Sequence, residues 1–572
     1  MCGIAGFVDK RGRCDVGERK KIVRSMLRSM QHRGGDSSGI SVFGTSVVGH
    51  TRLSIVDVSR KANQPFNDSR ALLAFNGEIF NHLELREEHL LHEKFQSHSD
   101  TATLFSLLKL LPYTETLKKA QGMYALSFLD KEKQEVLLAV DEYNIKPLYF
   151  IDTPDYFAWA SEIKAFAYIP GLKFSLNQDV IFEYLVFRYI VGERTLFKGI
   201  KKLQGGEMLR LSLQTGAYEK CGYRMSTYRT EGSSSGTLEK ALKGSVHAHL
   251  MSDVPVGLQL SGGVDSSLVA VLAAKQLDKR LHTFSIGLKD AAWNEFVYSD
   301  LVARKIGSHH HKLTFSGKDF KRLLPKITHH LDEPIVHPNT IAMYLLAKYA
   351  RKHTKVLLTG EGADELFYGY TRYARLLDGG GSILFSNAFV DKRLVSALLK
   401  RSDTNLDERK KFLRKTKGLS METKVGLYDM YSYLPHVLSR QDKASMAANV
   451  ENRVPYLYPP VAQFGLGARS NYGEFGGKTP VKKIALKYLP KELVLRKKCG
   501  FGLPIAEWFR DAGLLKPYLS KLTKHSMIRR HFYVRKLAKL IDEHIDGEKD
   551  HSNILFGLVA LMIWHDIFIT PE

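Results

Sequence analysis

The spacing of hydrophobic positions changes along the 572-residue chain. In the first two hundred residues, short apolar stretches separated by turns predict strands, including residues 122–130, 137–150 and 157–166. From residue 237 onward, a helical pattern leads into apolar strands that alternate with helices. The predicted strands are residues 254–260, 282–288, 309–315 and 355–360. This alternation predicts a parallel sheet covered by helices on both faces, with ligands at the carboxyl ends of its strands.

The chain is too long for a single hydrophobic core, so several domains are expected. The run EGSSSG at residues 231–236 has the composition of a flexible connector. We therefore predict a first domain over residues 1–205, a hairpin and linker over residues 206–236, and a second domain over residues 237–572.

The composition is that of a globular protein, with 44% hydrophobic and 25% charged residues. The four cysteines form no Cys-x-x-Cys pair, which argues against a zinc site and fits a reducing, cytoplasmic compartment. The N-terminus does not resemble a signal peptide. The late apolar run, residues 554–564, is too short to span a membrane and predicts a buried helix.

The formal net charge of +24 is unusually positive. Such an excess attracts nucleic acid or small polyanionic substrates. No zinc-finger or RNP-type pattern accompanies it, and a solvated basic surface is the favoured interpretation. We expect no nucleic-acid or membrane partner, and the oligomeric state stays open, with a homodimer as one possibility.

A loop between a predicted strand and a predicted helix has the properties of a phosphate site. Its sequence is Ser261-Gly262-Gly263-Val264-Asp265-Ser266-Ser267. The glycines permit a tight turn, and the start of the helix offers unpaired N–H groups to an anion. Asp265 would repel phosphate unless a cation stood between them, which makes it a candidate Mg²⁺ ligand. An ordinary Gly/Ser turn is the alternative.

A second polar loop, TGEGADELFYGY over residues 359–370, follows another apolar strand. Its clustered carboxylates, Glu361, Asp364 and Glu365, would repel one another without a neutralising cation. The acidic start of a helix is the alternative interpretation. It accounts for Asp364 and Glu365 better than for Glu361.

Cys2 directly follows the initiator methionine, and removal of that methionine would place a free amine beside a thiol. The segments that follow are MCGIAGFVD, QHRGGDSSG, HTRLSIVD, FNGEIFNH and SHSDTATL. In this order they resemble the class II glutamine amidotransferase domain, an N-terminal-nucleophile hydrolase with an αββα sandwich. The resemblance implies that Cys2 attacks the glutamine amide and that Asn76 and Gly77 form the oxyanion hole.

The same resemblance implies that Arg52 binds the glutamine carboxylate and that Glu78 and Asp100 bind its ammonium group. Each of these residues also has a structural alternative. Arg52 could lie on the surface, Asp100 could cap a helix, and Asn76-Gly77 could form a hairpin turn.

The second half resembles the ATP pyrophosphatase domain of the glutamine-hydrolysing asparagine synthetase family, with a Rossmann-like parallel sheet. The resemblance rests on residues 261–267, 359–370, 441–457 and 496–504. It implies that Glu361 acts at the acceptor and that Lys498 stabilises the reacting phosphate. Asp265 and Asp364 would hold Mg²⁺. Residues implied to bind ATP or pyrophosphate are Ser261, Gly262, Gly263, Asp265, Ser266, Ser267, Ile286, Thr359 and Gly360.

Together the halves predict a glutamine-dependent asparagine synthetase that uses glutamine, ATP, aspartate and Mg²⁺. Two departures from the family pattern, His337 and Tyr458, leave the acceptor open. One alternative is an amidotransferase of the same superfamily that acts on another carboxylate, such as a uronic acid or a peptide. The other is a non-catalytic binding protein on this fold.

Overall fold

The computed structural model describes residues 2–223, 235–289, 294–401, 404–465, 472–496 and 502–570. Its N-terminal half contains twelve strands in the described ranges: β1 (Gly3–Asp9), β2 (Ser37–Phe43), β3 (Ser46–Arg52), β4 (Phe66–Asn67), β5 (Ala71–Ile79), β6 (Gly122–Asp130), β7 (Glu135–Val140), β8 (Tyr149–Asp152), β9 (Tyr156–Ala160), β10 (Ile200–Lys202), β11 (Glu207–Ser212) and β12 (Tyr218–Gly222). The helices are α1 (Val16–Ser29), α2 (His82–His89), α3 (Asp100–Leu110), α4 (Tyr113–Lys119) and α5 (Ile181–Phe187).

These strands form two six-stranded antiparallel sheets, with the orders β10-β8-β9-β1-β3-β2 and β12-β11-β7-β6-β5-β4. Side chains alternate between the faces of β1: Ile4 and Val8 join the core between the sheets, whereas Ala5 and Phe7 face α1. Helix α3 covers the outer face of the second sheet. The predicted αββα sandwich is confirmed.

The hairpin of β11 and β12 lies in this second sheet and pairs with β7. It is therefore part of the N-terminal sandwich, whereas the sequence analysis assigned it to the link between domains. Residues 231–234 of the predicted connector lie outside the described residues.

The C-terminal half is built around a five-stranded sheet with the order β15-β14-β13-β16-β17, in which every pairing is parallel. Its strands are β13 (Val256–Gln259), β14 (His282–Leu288), β15 (His309–Phe315), β16 (Val356–Leu358) and β17 (Glu451–Arg453). The predicted parallel sheet is confirmed. The carboxyl ends of β13 and β16 lead into the two polar loops.

The helices of this half are α6 (Ser235–His249), α7 (Val264–Ala274), α8 (Phe296–Ile306), α9 (Gly317–Leu331), α10 (Thr340–Ala350), α11 (Ala363–Leu366), α12 (Arg372–Leu377), α13 (Lys392–Leu398), α14 (Asp407–Lys415), α15 (Met421–Ser432), α16 (Leu434–Met446), α17 (Pro459–Ala462), α18 (Thr479–Ala485), α19 (Lys491–Leu495), α20 (Ile505–Arg510), α21 (Lys516–Leu522), α22 (Ser526–His531), α23 (Val534–Ile545) and α24 (Ser552–Phe568). Helix α24 contains the late apolar run and is buried, as predicted. Among the described residues, no helix has the length and apolar character needed to cross a membrane.

Buried ion pairs join the two halves. The guanidinium of Arg33 donates to Asp442 (2.8 Å), and the ammonium of Lys146 donates to the other oxygen of the same carboxylate (3.1 Å). Lys164 is likewise paired with Asp332 across the interface (2.8 Å). Because these groups are buried away from water, only its ion-pair partner offsets the desolvation cost of each charge.

We predict that Asp442→Ala lowers the free energy of unfolding by about 3–5 kcal/mol, because it leaves buried cations without their shared carboxylate. Urea unfolding followed by fluorescence measures the change. The matched control is Asp155→Ala, which removes an exposed ion pair with Arg11 and should cost under about 1 kcal/mol. Equal costs for the two variants would contradict the interpretation.

Candidate active sites

The first candidate site surrounds Cys2, which is buried immediately before β1. Its backbone nitrogen donates to the Oδ1 atom of Asn76 (3.0 Å), and its carbonyl accepts from the Nε atom of Arg33 (3.0 Å). Burial raises the pKa of the Cys2 thiol. Proton removal from this thiol therefore depends on a base or a compensating charge.

Asn76 and Gly77 lie within β5, opposite Ala125 and Tyr124 of β6. The hairpin-turn alternative for this pair is therefore wrong. A Cβ atom at Gly77 would lie 2.1 Å from the carbonyl oxygen of Met123, so only glycine allows this strand approach. The buried Nδ2 group of Asn76 has no hydrogen-bond partner among the described residues. An unpaired buried donor beside Cys2 fits the predicted oxyanion hole.

Arg52 is buried, so the surface alternative is wrong. Its guanidinium donates to the carbonyl of Ser59 (2.9 Å), the side chain of Asn63 (2.9 Å) and the carbonyls of Val56 and Asp57. All four acceptors are neutral, so the positive charge has no carboxylate among these hydrogen-bond partners. These hydrogen bonds hold the loop after β3 in place. Because none of the four acceptors neutralises the guanidinium charge, Arg52 is chemically suited to bind an anion.

Glu78 and Asp100 lie together in a buried acidic group. Asp100 accepts backbone hydrogen bonds from Ile79 (2.8 Å) and Thr101 (2.7 Å), whereas Ser99 is the residue that caps α3. The helix-cap alternative for Asp100 is therefore wrong. Burial raises the pKa of Asp100 to about 6, and burial together with the charge of Asp100 raises the pKa of Glu78 well above its ordinary value.

Arg453, a residue of the C-terminal half, lies beside this acidic group. Its guanidinium lies 2.7 Å from Glu451 and 3.4 Å from Glu78. Within residues 2–223 and the described C-terminal half, Glu78, Asp100 and Glu451 thus lie around the buried guanidinium of Arg453. The deficit of positive charge suits a ligand that carries an ammonium group.

The second candidate site lies where two loops of the C-terminal half touch. Residues 261–267 form the turn between β13 and α7, with the hydroxyls of Ser261 and Ser266 2.9 Å apart. A Cβ atom at Gly360, in the loop after β16, would lie 2.7 Å from the backbone nitrogen of Ser266. The hydroxyl of Ser267 is buried and has no hydrogen-bond partner within the described part of the chain. The two predicted loops are therefore neighbours.

Lys478 holds the two candidate metal ligands together. Its ammonium group lies 2.6 Å from Asp265 and 2.6 Å from Asp364. Burial alone would lower the pKa of Lys478, but the two carboxylates raise it above its ordinary value. The carboxylate pair that the sequence analysis selected is therefore brought together around a buried cation.

Lys478 cannot be distinguished from a surface lysine by its local sequence, because it belongs to a strongly basic stretch, residues 478–500. The glycine pair before it was an available signal. A Cβ atom at Gly477 would lie 2.2 Å from the carbonyl oxygen of Tyr368, so the chain approaches the acidic loop closely. Lys498, which was selected instead, lies outside the described residues.

Thr359, Glu361 and Ile286 were also predicted for this site. The backbone nitrogen of Thr359 donates to the carbonyl of Arg453 (3.0 Å), and its hydroxyl donates to the same oxygen (3.2 Å). Glu361 is half-buried two residues later, and Ile286 is half-buried on β14. Burial, followed by the charge of Asp364, raises the pKa of Glu365 to about 7.

An antiparallel sandwich with a buried cysteine at position 2 is therefore joined to a parallel sheet that carries two polar loops, residues 261–267 and 359–370, which we call the phosphate-type loops. Two family models match the chain: a glutamine amidotransferase domain over residues 1–223 and asparagine synthase over residues 237–566. The chain belongs to the asparagine synthase family.

Two relatives illustrate the similarity. Over its whole length the chain is 28% identical to asparagine synthetase (glutamine-hydrolyzing) 1 of Bacillus subtilis and covers 97% of that protein. It is 31% identical to asparagine synthetase B (glutamine-hydrolyzing) of Escherichia coli over 65% of each chain. The family that the sequence motifs indicated is confirmed.

The raised pKa of Asp100 predicts a pH effect on stability. The folded protein holds this proton up to about pH 6, whereas the ordinary value is 3.8. The contribution of Asp100 is therefore fully favourable below about pH 4 and is lost as the pH rises through 6. Relative to Asp100→Asn, the wild type should lose roughly 2 kcal/mol of unfolding free energy between pH 4 and 7.

Urea unfolding of both proteins across this pH range measures the difference. The exposed variant Asp155→Asn serves as the control and should follow the wild-type profile. A constant difference between wild type and Asp100→Asn from pH 4 to 7 would show that the buried carboxyl has no raised pKa.

Proposed function

We propose that the protein is a glutamine-dependent asparagine synthetase. The observation that carries the proposal is the pairing of Asp265 and Asp364 with Lys478 at two touching loops. The same chain holds a buried Cys2 whose backbone is hydrogen-bonded to Asn76, the residue with the unpaired amide donor. Such a combination supports nitrogen release at one site and acid activation at the other.

At the first site, the Cys2 sulfur attacks the side-chain amide carbon of glutamine, and the Nδ2 group of Asn76 stabilises the oxyanion that forms. Collapse of this intermediate breaks the carbon–nitrogen bond, releases ammonia and leaves a thioester, which water hydrolyses to glutamate. Glu78 and Asp100 hold the ammonium group of the substrate, and Arg52 holds its carboxylate.

At the second site, a carboxylate oxygen of aspartate attacks the α-phosphorus of ATP, and the bond to pyrophosphate breaks. Ammonia then attacks the acyl carbon and AMP departs, which gives asparagine. The serine hydroxyls and helix start of residues 261–267 hold the phosphates. Glu361 orients the acceptor or takes up a proton.

Two carboxylates, Asp265 and Asp364, fit Mg²⁺ because it prefers oxygen ligands and binds phosphates through one or two carboxylates. When bound, Mg²⁺ would neutralise phosphate charge at this loop contact. Lys478 supplies a fixed positive charge at the same place, suited to the developing charge of the departing pyrophosphate.

A second candidate function, amidation of a different acid, is supported by a cavity between the two halves. The cavity has a volume of about 40 Å³, and its lining includes Arg188, Lys202, Glu333 and His436. The ring of His337, one of the departures from the family pattern, lies 5.3 Å from that of His436. The two cations of the cavity, Arg188 and Lys202, outnumber the carboxylate of Glu333, so the lining suits an acidic group better than a neutral one.

An acceptor screen with the full-length enzyme, glutamine and Mg-ATP tests the proposed function. Aspartate should support formation of AMP and asparagine in equal amounts. Cys2→Ala should abolish the reaction with glutamine but retain it with ammonium, because only the first site is removed. AMP formation with a uronic acid and not with aspartate would favour the second function, and production of ADP would reject both.

A lysine comparison tests the second site. Lys478→Ala should lower AMP formation at least about 100-fold, because a preorganised charge at the reacting phosphate is lost. Glutamine hydrolysis should stay within about twofold of wild type, since the Cys2 site is separate. Mass-spectrometric assay of AMP and glutamate gives both rates.

The matched control is Lys482→Ala, one helical turn farther along, whose ammonium group donates to the carbonyl of Phe475 (2.7 Å). It should cost less than about threefold. Lys498→Ala completes the comparison: a large loss there, with normal AMP formation by Lys478→Ala, would return the role to the lysine that the family resemblance implied.

A further inference from the structure

Three histidines meet at the end of the parallel sheet opposite the phosphate-type loops. His282 begins β14, His311 lies in β15, and His353 follows the end of α10. One ring nitrogen of each lies within 4.8 Å of those of the other two. The three rings are half-buried, so solvent ions reach them. Neither proposed reaction uses these residues.

We propose that His282, His311 and His353 form a binding site for a transition-metal ion such as Zn²⁺. Imidazole nitrogen is a preferred ligand of Zn²⁺, Ni²⁺ and Cu²⁺, and three histidines with an open position are a known zinc arrangement. The group contains no carboxylate, so it discriminates against Mg²⁺. The site is therefore distinct from the metal requirement of the proposed reaction.

The distances support this assignment. Zinc–nitrogen bonds of about 2.0–2.1 Å place the nitrogens of a tetrahedral site roughly 3.3 Å apart. The Nδ1 atom of His282 and the Nε2 atom of His311 are already 3.0 Å apart, in rings inclined by 15°. The ring of His353 lies over that of His311, with centroids 4.3 Å apart. Rotation of the three rings would bring one nitrogen of each to a single ion. The hydrogen bond between His282 and His311 would then be replaced by bonds to the metal.

The position of the site gives the metal a structural effect. Its ligands come from two adjacent strands and from the chain after the helix that packs on them, so one ion joins three segments. Strand β14 has seven residues, which places the site roughly 20 Å from the opposite edge of the sheet at 3.3 Å per residue. Binding to the folded state alone stabilises that state.

The test uses the full-length protein with Cys2→Ala and His525→Ala as the background. These changes remove the Cys2 thiol and one ligand of a second potential metal group, which consists of His525, His565 and Asp566. Zn²⁺ is the probe, and retained metal is measured by mass spectrometry after gel filtration in the presence of excess Mg²⁺. The background protein should retain one equivalent and melt at a higher temperature with Zn²⁺.

His311→Ala and His353→Ala should each weaken Zn²⁺ binding at least about tenfold and abolish the thermal shift, because each removes a ligand. The matched control is His309→Ala, which removes an exposed histidine of the same strand and should bind like the background. Metal-free melting curves verify folding. If His311→Ala does not fold, His353→Ala, which lies outside the sheet, decides the matter.

Binding of Zn²⁺ by His353→Ala with unchanged affinity, or no binding by the background protein, overturns the proposal. Because every readout is metal retention or melting temperature, the result does not depend on whether the protein makes asparagine.

Discussion

Both candidate sites depend on one buried cluster of charged residues, Arg453, Glu451 and Glu78, at the interface between the two halves. The guanidinium of Arg453 is paired with Glu451 and faces Glu78, while its backbone carbonyl accepts both hydrogen bonds from Thr359. A single residue of β17 thus contacts the acidic group near Cys2 with its side chain and the loop of residues 359–370 with its backbone. Unpaired buried charges cost several kcal/mol each, so the halves are constrained to this arrangement.

The two sites differ in how their charges are balanced. In the first, three buried carboxylates lie around Arg453, and burial, reinforced by the neighbouring carboxylates, raises the pKa values of Glu78 and Asp100. In the second, the ammonium group of Lys478 already lies between two carboxylates. The first site is thereby suited to receive a cationic group. The second presents a buried cation and two carboxylates, which the proposed function assigns to phosphate and to Mg²⁺ respectively.

Local sequence predicted the parts of both sites that are continuous in the chain. Residues 261–267 could be recognised as an anion loop because glycine, serine and a following helix are adjacent. Asn76 and Gly77 could not be assigned from their local pattern, since Asn-Gly also forms hairpin turns and only the pairing of β5 with β6 excludes a turn here. Lys478 was hidden among other lysines because burial, which separates a site lysine from a surface lysine, is a tertiary property.

The sequence by itself determined the family, the αββα and parallel-sheet architecture, and the order of the motifs, because periodicity and short motifs are local. Only the tertiary structure decided which charges neutralise which. Asp265 and Lys478 are 213 residues apart, and Arg33 and Asp442 are 409 residues apart. No local pattern specifies such partners. These charge partners are selected when folding buries the charges away from water, because each charge is then stabilised only by the groups that the fold places beside it.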